Sequence, residues 1–260
     1  MLQFCDISFQ YEHQPDDLFA HFNLTISANK ITTILGPNGC GKTSLLHLAY
    51  GWLRPKNGMV LLNSVVLNNY SHANLGKTIG IVAQNEKIPF HLSVWDYVLI
   101  GRTPYHSPLS QPGKNDIQIA ETALATTDML KYKTKLLQDL SGGEQQLAFI
   151  ARAITQQPSV LLCDEITNHL DLKNTAAILR LLQGLKEQGV TIILSLHDPQ
   201  LASIISDEIV LFFPDRTFIQ GSTQDILTPD HLSAAFQTEL SASHQNGQVV
   251  IDWKTMLSRK

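Results

Sequence analysis

The chain has 260 residues, 43% of them hydrophobic and 16% charged, which suits one large folded domain or a domain with an insert and excludes a disordered chain. Lys and Arg number 19 against 23 Asp and Glu, a formal charge of -4 with His neutral, so a broad basic surface for nucleic acid is not expected. Only Cys5, Cys40 and Cys163 carry thiols, too few and too far apart for a disulfide framework or a paired zinc site.

The chain starts Met1-Leu2-Gln3-Phe4-Cys5-Asp6, with no basic segment leading into an apolar run, and no stretch reaches the roughly 18 apolar residues of a membrane-crossing helix. Apolar alternation predicts strands at Leu2–Phe9, Phe22–Ile26 and Ile31–Leu35, with shorter ones at Met59–Leu62 and Ile79–Ala83. The third strand runs into Gly36-Pro37-Asn38-Gly39-Cys40-Gly41-Lys42-Thr43-Ser44, which satisfies G-x-x-x-x-G-K-[ST], and a helical run follows over Ser44–Tyr50. Glycines there let backbone N–H groups converge on phosphates and the helix N-terminus adds partial positive charge. Lys42 can reach the β- and γ-phosphates, and the Thr43 hydroxyl suits Mg2+.

From Ser93 the pattern turns helical, with Val94, Tyr97, Val98 and Ile100 on one stripe, an exposed loop expected at Pro104–Lys114, and a helix over Ile117–Leu130. Leu140-Ser141-Gly142-Gly143-Glu144-Gln145 precedes a helix whose apolar face is Leu147, Ile150 and Ile154. Ser141 and the N–H groups of Gly142 and Gly143 make an anion-binding helix start. The strand Val160–Cys163 then releases Asp164 and Glu165 at its C-terminal end, where ligands collect in open α/β sheets; Asp164 is placed to hold Mg2+ and Glu165 to polarise water. Helix Leu172–Gln188 and strand Val190–Leu194 complete a βαβ pattern that favours parallel pairing. Strands at Leu211–Phe213 and Thr217–Gln220 and helical segments Thr223–Leu227 and His231–Phe236 follow. Periodicity fades over Ser241–Gly247 before a last short strand, Val249–Ile251.

Leu140–Gln145, set between the two phosphate motifs, resembles the signature of ATP-binding cassette proteins, and the resemblance runs along about 2–236. It implies an α/β fold: a P-loop NTPase (RecA-like) core with an N-terminal antiparallel β subdomain and an inserted α-helical subdomain at about 86–157. The whole would form one domain over 1–240, followed by a tail, 241–260, holding the short strand. It implies an ATPase using ATP and Mg2+, with the nucleotide held by Tyr11 on adenine and by Gly36, Asn38, Gly39, Cys40, Gly41, Lys42, Thr43 and Ser44 on the phosphates. Mg2+ falls to Thr43, Gln84 and Asp164; Glu165, His197 and Gln84 are the catalytic residues; Ser141, Gly143 and Asp171 would close on ATP held by a second copy of the chain. Tyr11 also fits an ordinary core or surface tyrosine, Gln84 a polar strand cap, and Asp171 a cap for the following helix. Three positions depart from the family pattern: Ile166 stands where Pro is usual after the acidic pair, Gln145-Gln146-Leu147 lacks the Arg that often follows the signature, and Leu196 replaces the common Thr before His197.

Val98-Leu99-Ile100-Gly101-Arg102-Thr103-Pro104-Tyr105, His197-Asp198-Pro199-Gln200 and Gly221–Leu227 are similar to the branch that serves importers of metal compounds. This implies the ATPase subunit of an importer for a metal chelate (iron-siderophore, haem or cobalamin) or a molybdate-type oxyanion. It would be peripheral on the cytoplasmic face of the inner membrane, dimeric with ATP, docked through the helical subdomain near Gln84–Arg102 on two permease subunits, and served indirectly by an extracytoplasmic solute-binding protein; no nucleic-acid partner is implied. An exporter subunit is the alternative, and a soluble cassette of translation or repair a further one, because Asn168-His169-Leu170-Asp171 resembles a phrase of those proteins. Arg102 also fits a solvated charge at a helix end.

Overall fold

Branched and aromatic residues dominate the first 35 positions, and they fold as pleated strands β1 (Leu2–Phe9), β2 (Phe19–Ile26) and β3 (Ile31–Leu35). The computed structural model describes residues 1–12, 14–84, 86, 91–107, 110–245 and 248–252. Helix α1 (Lys42–Tyr50), β4 (Asn57–Leu62) and β5 (Val65–Val66) follow, and β2-β1-β4-β5 form an antiparallel sheet. Strand β2 begins three residues before the sequence expectation. Its alternation breaks at His21, whose φ of +51° forms a bulge, and pairing resumes beyond it with Phe19 opposite Phe9.

Residues 68–192 form a second compact unit, distinct from the one made by 1–67 and 193–260. In it the chain runs through α2 (His72–Thr78), β6 (Ile79–Val82), α3 (Val94–Leu99), a 3-10 helix (Ile100–Tyr105), α4 (Lys114–Thr126), α5 (Gly142–Thr155), β7 (Val160–Asp164) and α6 (Leu172–Glu187). Strands β6 and β7 pair in parallel from Ile79 opposite Val160 to Val82 opposite Cys163, and both are wholly buried. Strand β8 (Thr191–Leu196) leads back into the first unit, which ends with α7 (Pro199–Ile205), β9 (Glu208–Phe212), β10 (Phe218–Ser222), α8 (Thr223–Ile226), α9 (Pro229–Phe236), β11 (Ala242–Gln245) and β12 (Gln248–Ile251).

In the first unit β3 pairs in parallel with β9, and β9 antiparallel with β10. The core there is aromatic: Phe22 stacks on Phe212 at 6.0 Å and 10° and meets Phe218 at 4.8 Å and Phe19 at 4.8 Å. The β11–β12 hairpin docks on α7, where the Val249 N–H donates to Ser203 Oγ at 3.0 Å and Val249 is buried. No helix among the described residues is long and apolar enough to cross a membrane.

The helical part of the second unit corrects two expectations. The segment expected as an exposed loop over Pro104–Lys114 starts inside the 3-10 helix and ends on the first residue of α4; Pro108 and Leu109 lie outside the described residues. Helix α4 starts three residues early because the Asp116 carboxylate reaches back to the Gly113 N–H at 2.9 Å, and it stops at Thr126 ahead of Asp128, which has φ +55°.

Arg102 is not solvated. Its side chain is 4% exposed, with Nε donating to Asp116 Oδ1 at 2.9 Å and Nη1 to the Thr155 carbonyl at 3.0 Å and Gln157 Oε1 at 3.2 Å. The guanidinium lies 3.7 Å from the Tyr105 ring centroid, and Tyr105 Oη donates to the Gln156 carbonyl at 2.8 Å. A Cβ on Gly101 would come within 2.4 Å of the Arg152 carbonyl, so only glycine lets this segment lie so close to α5. Gly101-Arg102-Thr103-Pro104-Tyr105 is therefore a packing knot that joins the 3-10 helix, α4 and the end of α5.

Burial by itself pushes the Asp116 carboxyl up, but hydrogen bonds from Arg102 and Gly113 and the His106 charge outweigh it and hold the group below the usual carboxylate range. Asp116→Ala strands the buried guanidinium and is expected to cost about 3–5 kcal/mol in urea unfolding at pH 7. Because the folded pKa is lowered, the carboxylate's contribution is complete above its unfolded pKa of about 4 and is lost as pH falls through the folded one. The stability gap between wild type and variant is expected to hold from pH 7 to 5 and to shrink in stronger acid.

Candidate active site

Beyond β3 the backbone passes through Gly36 at φ +151°, Gly39 at +80° and Gly41 at +108° before entering α1. A Cβ at Gly41 would sit 2.8 Å from Phe19 Cζ, so both the dihedral and the close approach demand glycine. Asn38 and Gly39 form the exposed tip; Gly36, Cys40 and Gly41 are buried. No side chain caps the start of α1 and its first turn has no acid, whereas each other α-helix of the described residues has a side chain bonded to its N-terminal backbone. The start of α1 therefore turns backbone N–H groups, with no acid beside them, toward the place an anion would take.

Lys42 is 5% exposed and curls under the loop, with Nζ donating to the carbonyls of Gly36 at 2.9 Å and Pro37 at 3.1 Å. Thr43 is half-buried, and Ser44 Oγ lies 2.8 Å from Tyr11 Oη. Tyr11 is 37% exposed and sets its ring edge-on to Phe9 at 5.0 Å, a surface ring anchored to the phosphate loop. Burial raises the Cys40 thiol pKa, only partly opposed by Lys42, so the side chain packs as a neutral group. Burial, and secondarily Asp164, raises that of Cys163 as well. His197 is half-buried directly after β8 and just before Asp198, the cap of α7.

In the second unit β7 ends on Asp164, which is 4% exposed, and Glu165 follows in left-handed backbone with φ +50°. Gln84, exposed just past the end of β6, donates its amide to Glu165 Oε2, and Asn168 Nδ2 donates to the same oxygen at 2.7 Å. Ser141 caps α5 in a reciprocal box: its Oγ accepts from the Glu144 N–H, and Glu144 Oε2 accepts from the Ser141 N–H and hydroxyl, each at 2.9 Å. Hydrogen bonds from Tyr132 and Ser141 hold the Glu144 carboxyl below its ordinary value. Gly143 is buried against α6, where an added Cβ would meet Asn174 Nδ2 at 2.2 Å. Asp171 caps α6, accepting from the Asn174 N–H at 2.7 Å.

Three contributors escaped the sequence reading. Gln145, where an Arg was expected, donates to the carbonyls of Leu137 at 3.3 Å and Leu140 at 3.2 Å and so ties the signature to the turn before it. Arg152 Nη2 donates to the Ile81 carbonyl at 2.7 Å and lies 3.4 Å from Glu86, which also accepts from Tyr97 Oη; this links the Gln84 segment to α3 and α5. Asn168 is the third. Its only sequence signal is an Asn three residues after an acid in a turn, a pattern common to many turns.

The family profile described as "ABC transporter" matches residues 19–168, more than half of the chain. The chain belongs to the ABC transporter family. The cassette is 35% identical over 218 residues to the iron(3+)-hydroxamate import ATP-binding protein FhuC of Bacillus subtilis, covering 84% of this chain and 81% of that one. It is 31% identical over 231 residues to the petrobactin import ATP-binding protein FpuC of Bacillus anthracis, covering 88% and 85%. Among solved structures it is similar to a transporter assigned to the metal-chelate type in an inward-facing conformation, at 31% identity, 98% coverage of both chains and a TM-score of 0.84. The dimeric cassette MJ0796 matches at 25% identity, 81% and 93% coverage and a TM-score of 0.72. The fold is that of the RecA-like P-loop NTPase core with an N-terminal antiparallel β sheet and an inserted α-helical subdomain.

The cassette is an ATPase, and ATP with Mg2+ is the pair its family binds. The residues present fit both: the uncapped α1 start and buried Lys42 suit phosphate, and the hydroxyl, amide and carboxylate oxygens of Thr43, Gln84 and Asp164 are the hard donors Mg2+ prefers. Gly41→Ala forces a left-handed L-residue against Phe19 and is expected to cost about 1–3 kcal/mol in urea unfolding and to weaken ATP binding. Gly184→Ala, inside α6 with no atom within 4 Å of the new methyl, is expected to stabilise by about 0.5–1 kcal/mol.

Proposed function

We propose that this cassette hydrolyses ATP to power an importer of an iron-siderophore or related metal chelate. The observation that carries this reading is the likeness along nearly the whole of both chains to the metal-chelate type transporter, which the hydroxamate and petrobactin relatives support. The domain would span 1–240 with its helical insert at about 86–157 and a tail over 241–260, and would work as a dimer, peripheral on the cytoplasmic face of the membrane. Two permease subunits would dock on the insert near Gln84–Arg102, a stretch in which Asn85 and 87–90 lie outside the described residues, and an extracytoplasmic solute-binding protein would deliver cargo.

Each assigned residue has a chemical task. Lys42 and the backbone N–H groups of the 36–44 loop, with Asn38 at its tip, would bind the phosphates, and Tyr11 would offer its ring face to adenine. Thr43, Asp164 and Gln84 would hold Mg2+, which when bound neutralises phosphate charge. Gln84 can serve twice: its Nε2 already donates to Glu165, and its other terminal atom is the oxygen a metal takes. Glu165 would accept the proton of the attacking water, and His197 would orient that water and the terminal phosphate. Ser141, Gly143 and Asp171 would serve ATP held by the second copy.

Replacing Glu165 by Gln keeps the shape and removes the base. ATP binding is expected to persist, turnover to fall by about 100-fold or more, and an ATP-dependent dimer to accumulate on size-exclusion chromatography; normal turnover would refute the assignment. Reconstituted with its permease and binding protein, the cassette is expected to drive uptake of ferric siderophores from a panel that also holds haem, cobalamin, molybdate, an amino acid and a sugar. Uptake of the amino acid or sugar alone would overturn the substrate class and leave the ATPase reading in place.

A further inference from the structure

Two non-glycine residues between β7 and α6 hold left-handed backbone, Glu165 at φ +50° and His169 at φ +61°. Such a conformation costs an L-residue about 1–2 kcal/mol and persists where its surroundings over-determine it. Asn168 does so from two directions. Its backbone N–H donates to the Glu165 carbonyl at 3.1 Å, closing the turn, and its side-chain Nδ2 donates to the Glu165 carboxylate at 2.7 Å. Ile166 and Thr167, between them, are buried. One residue therefore fixes both where the Glu165 backbone turns and where its carboxylate points.

We propose that Asn168 is the positioning residue for Glu165, its amide N–H holding the carboxylate oxygen in the direction that proton abstraction requires. The inference rests on the reading of Glu165 as the base. Gln84 reaches the same oxygen but comes from the loop after β6, beside a stretch tied to other helices through Glu86, so its grip depends on that loop. Asn168 belongs to the same turn as Glu165 and keeps its grip wherever the turn goes. A carboxylate with rotatable side-chain bonds has several orientations of similar energy, and a misplacement of about 1 Å at a reacting atom can cost on the order of 100-fold in rate.

The deciding variant is Asn168→Asp, which keeps size, shape and turn preference but replaces the N–H donor by an oxygen, beside Asn168→Ala, which removes the group. Both are measured in the full chain for melting midpoint, ATP affinity and steady-state ATPase rate, alone and combined with Glu165→Gln. The expected result is a kcat lowered about tenfold or more in both, with ATP affinity within about twofold of wild type. In the Glu165→Gln background neither is expected to lower the residual rate further, because the group they position is already gone. Wild-type kcat in Asn168→Asp would overturn the proposal, as would ATP affinity falling in step with kcat, or an independent further loss beside Glu165→Gln. A lowered melting midpoint in both variants would also overturn it, making Asn168 a determinant of the fold. Normal turnover by Glu165→Gln itself would remove the base reading and this proposal together, whereas a dead Glu165→Gln beside a normal Asn168→Asp would remove the proposal alone.

Discussion

The first unit is organised around a helix that starts on a glycine, with no side-chain cap and no acid in its first turn. Each α-helix leaves its first N–H groups without intrahelical partners, and every other α-helix of the described residues is answered by a Ser, Thr or Asp side chain, whereas none caps α1. The parallel β3–β9 pairing brings the chain to Gly36, and Phe19, packed in the aromatic cluster with Phe22, lies so close to Gly41 that this position can carry no side chain. Core packing and anion binding thus make the same demand on the loop. Lys42 bonds meanwhile to carbonyls of the loop itself, so its charge stays hydrogen-bonded although the side chain is buried.

The second unit solves a different problem, how to keep short helices in register around polar groups placed inside. Arg102 and Asp116 do this in one place and Arg152, Glu86 and Tyr97 in another, and both sets close on α5, the helix that the signature begins. A buried ion pair adds little net stability, because desolvation offsets the attraction, but a misplaced one is costly. Such pairs therefore suit specifying one arrangement of α3, α4 and α5 over alternatives of similar apolar burial. One of these sets also bonds Ile81 and Glu86, on either side of Gln84, to α5 through Arg152.

What could be read from the sequence follows the range of the interaction. The phosphate loop is local, its glycines and lysine being covalently adjacent, and strands β1 and β3 match their expected bounds because apolar runs end on turn residues. The start of β2 was missed because a bulge at His21 breaks the alternation, and the start of α4 because its cap is a glycine served by a later Asp116. A solvated Arg102 stayed open as an alternative because nothing local tells a buried arginine from an exposed one; its partners Asp116, Thr155 and Gln157 lie up to 55 residues away. Asn168 hid for the opposite reason, since its partner is so near that the pattern passes for an ordinary turn.

In the proposed dimer Ser141 would bring these constraints to bear on chemistry between copies. A serine hydroxyl has one proton to donate, and here Glu144 Oε2 takes it while the Glu144 N–H fills an acceptor site. A phosphate offered to this helix start would compete with Glu144 for that single proton, and the exchange would leave the capping bond from Glu144 N intact. The carboxylate would not be stranded, because Tyr132 and the Ser141 N–H still donate to it. The box can therefore give up one hydrogen bond without unwinding the first turn of α5, whereas Ala at 141 would lose the cap and the donor at once. In the proposed dimer, a helix start satisfied by its own side chains yet able to release one donor would be stable in a lone subunit and still receptive to the other's nucleotide.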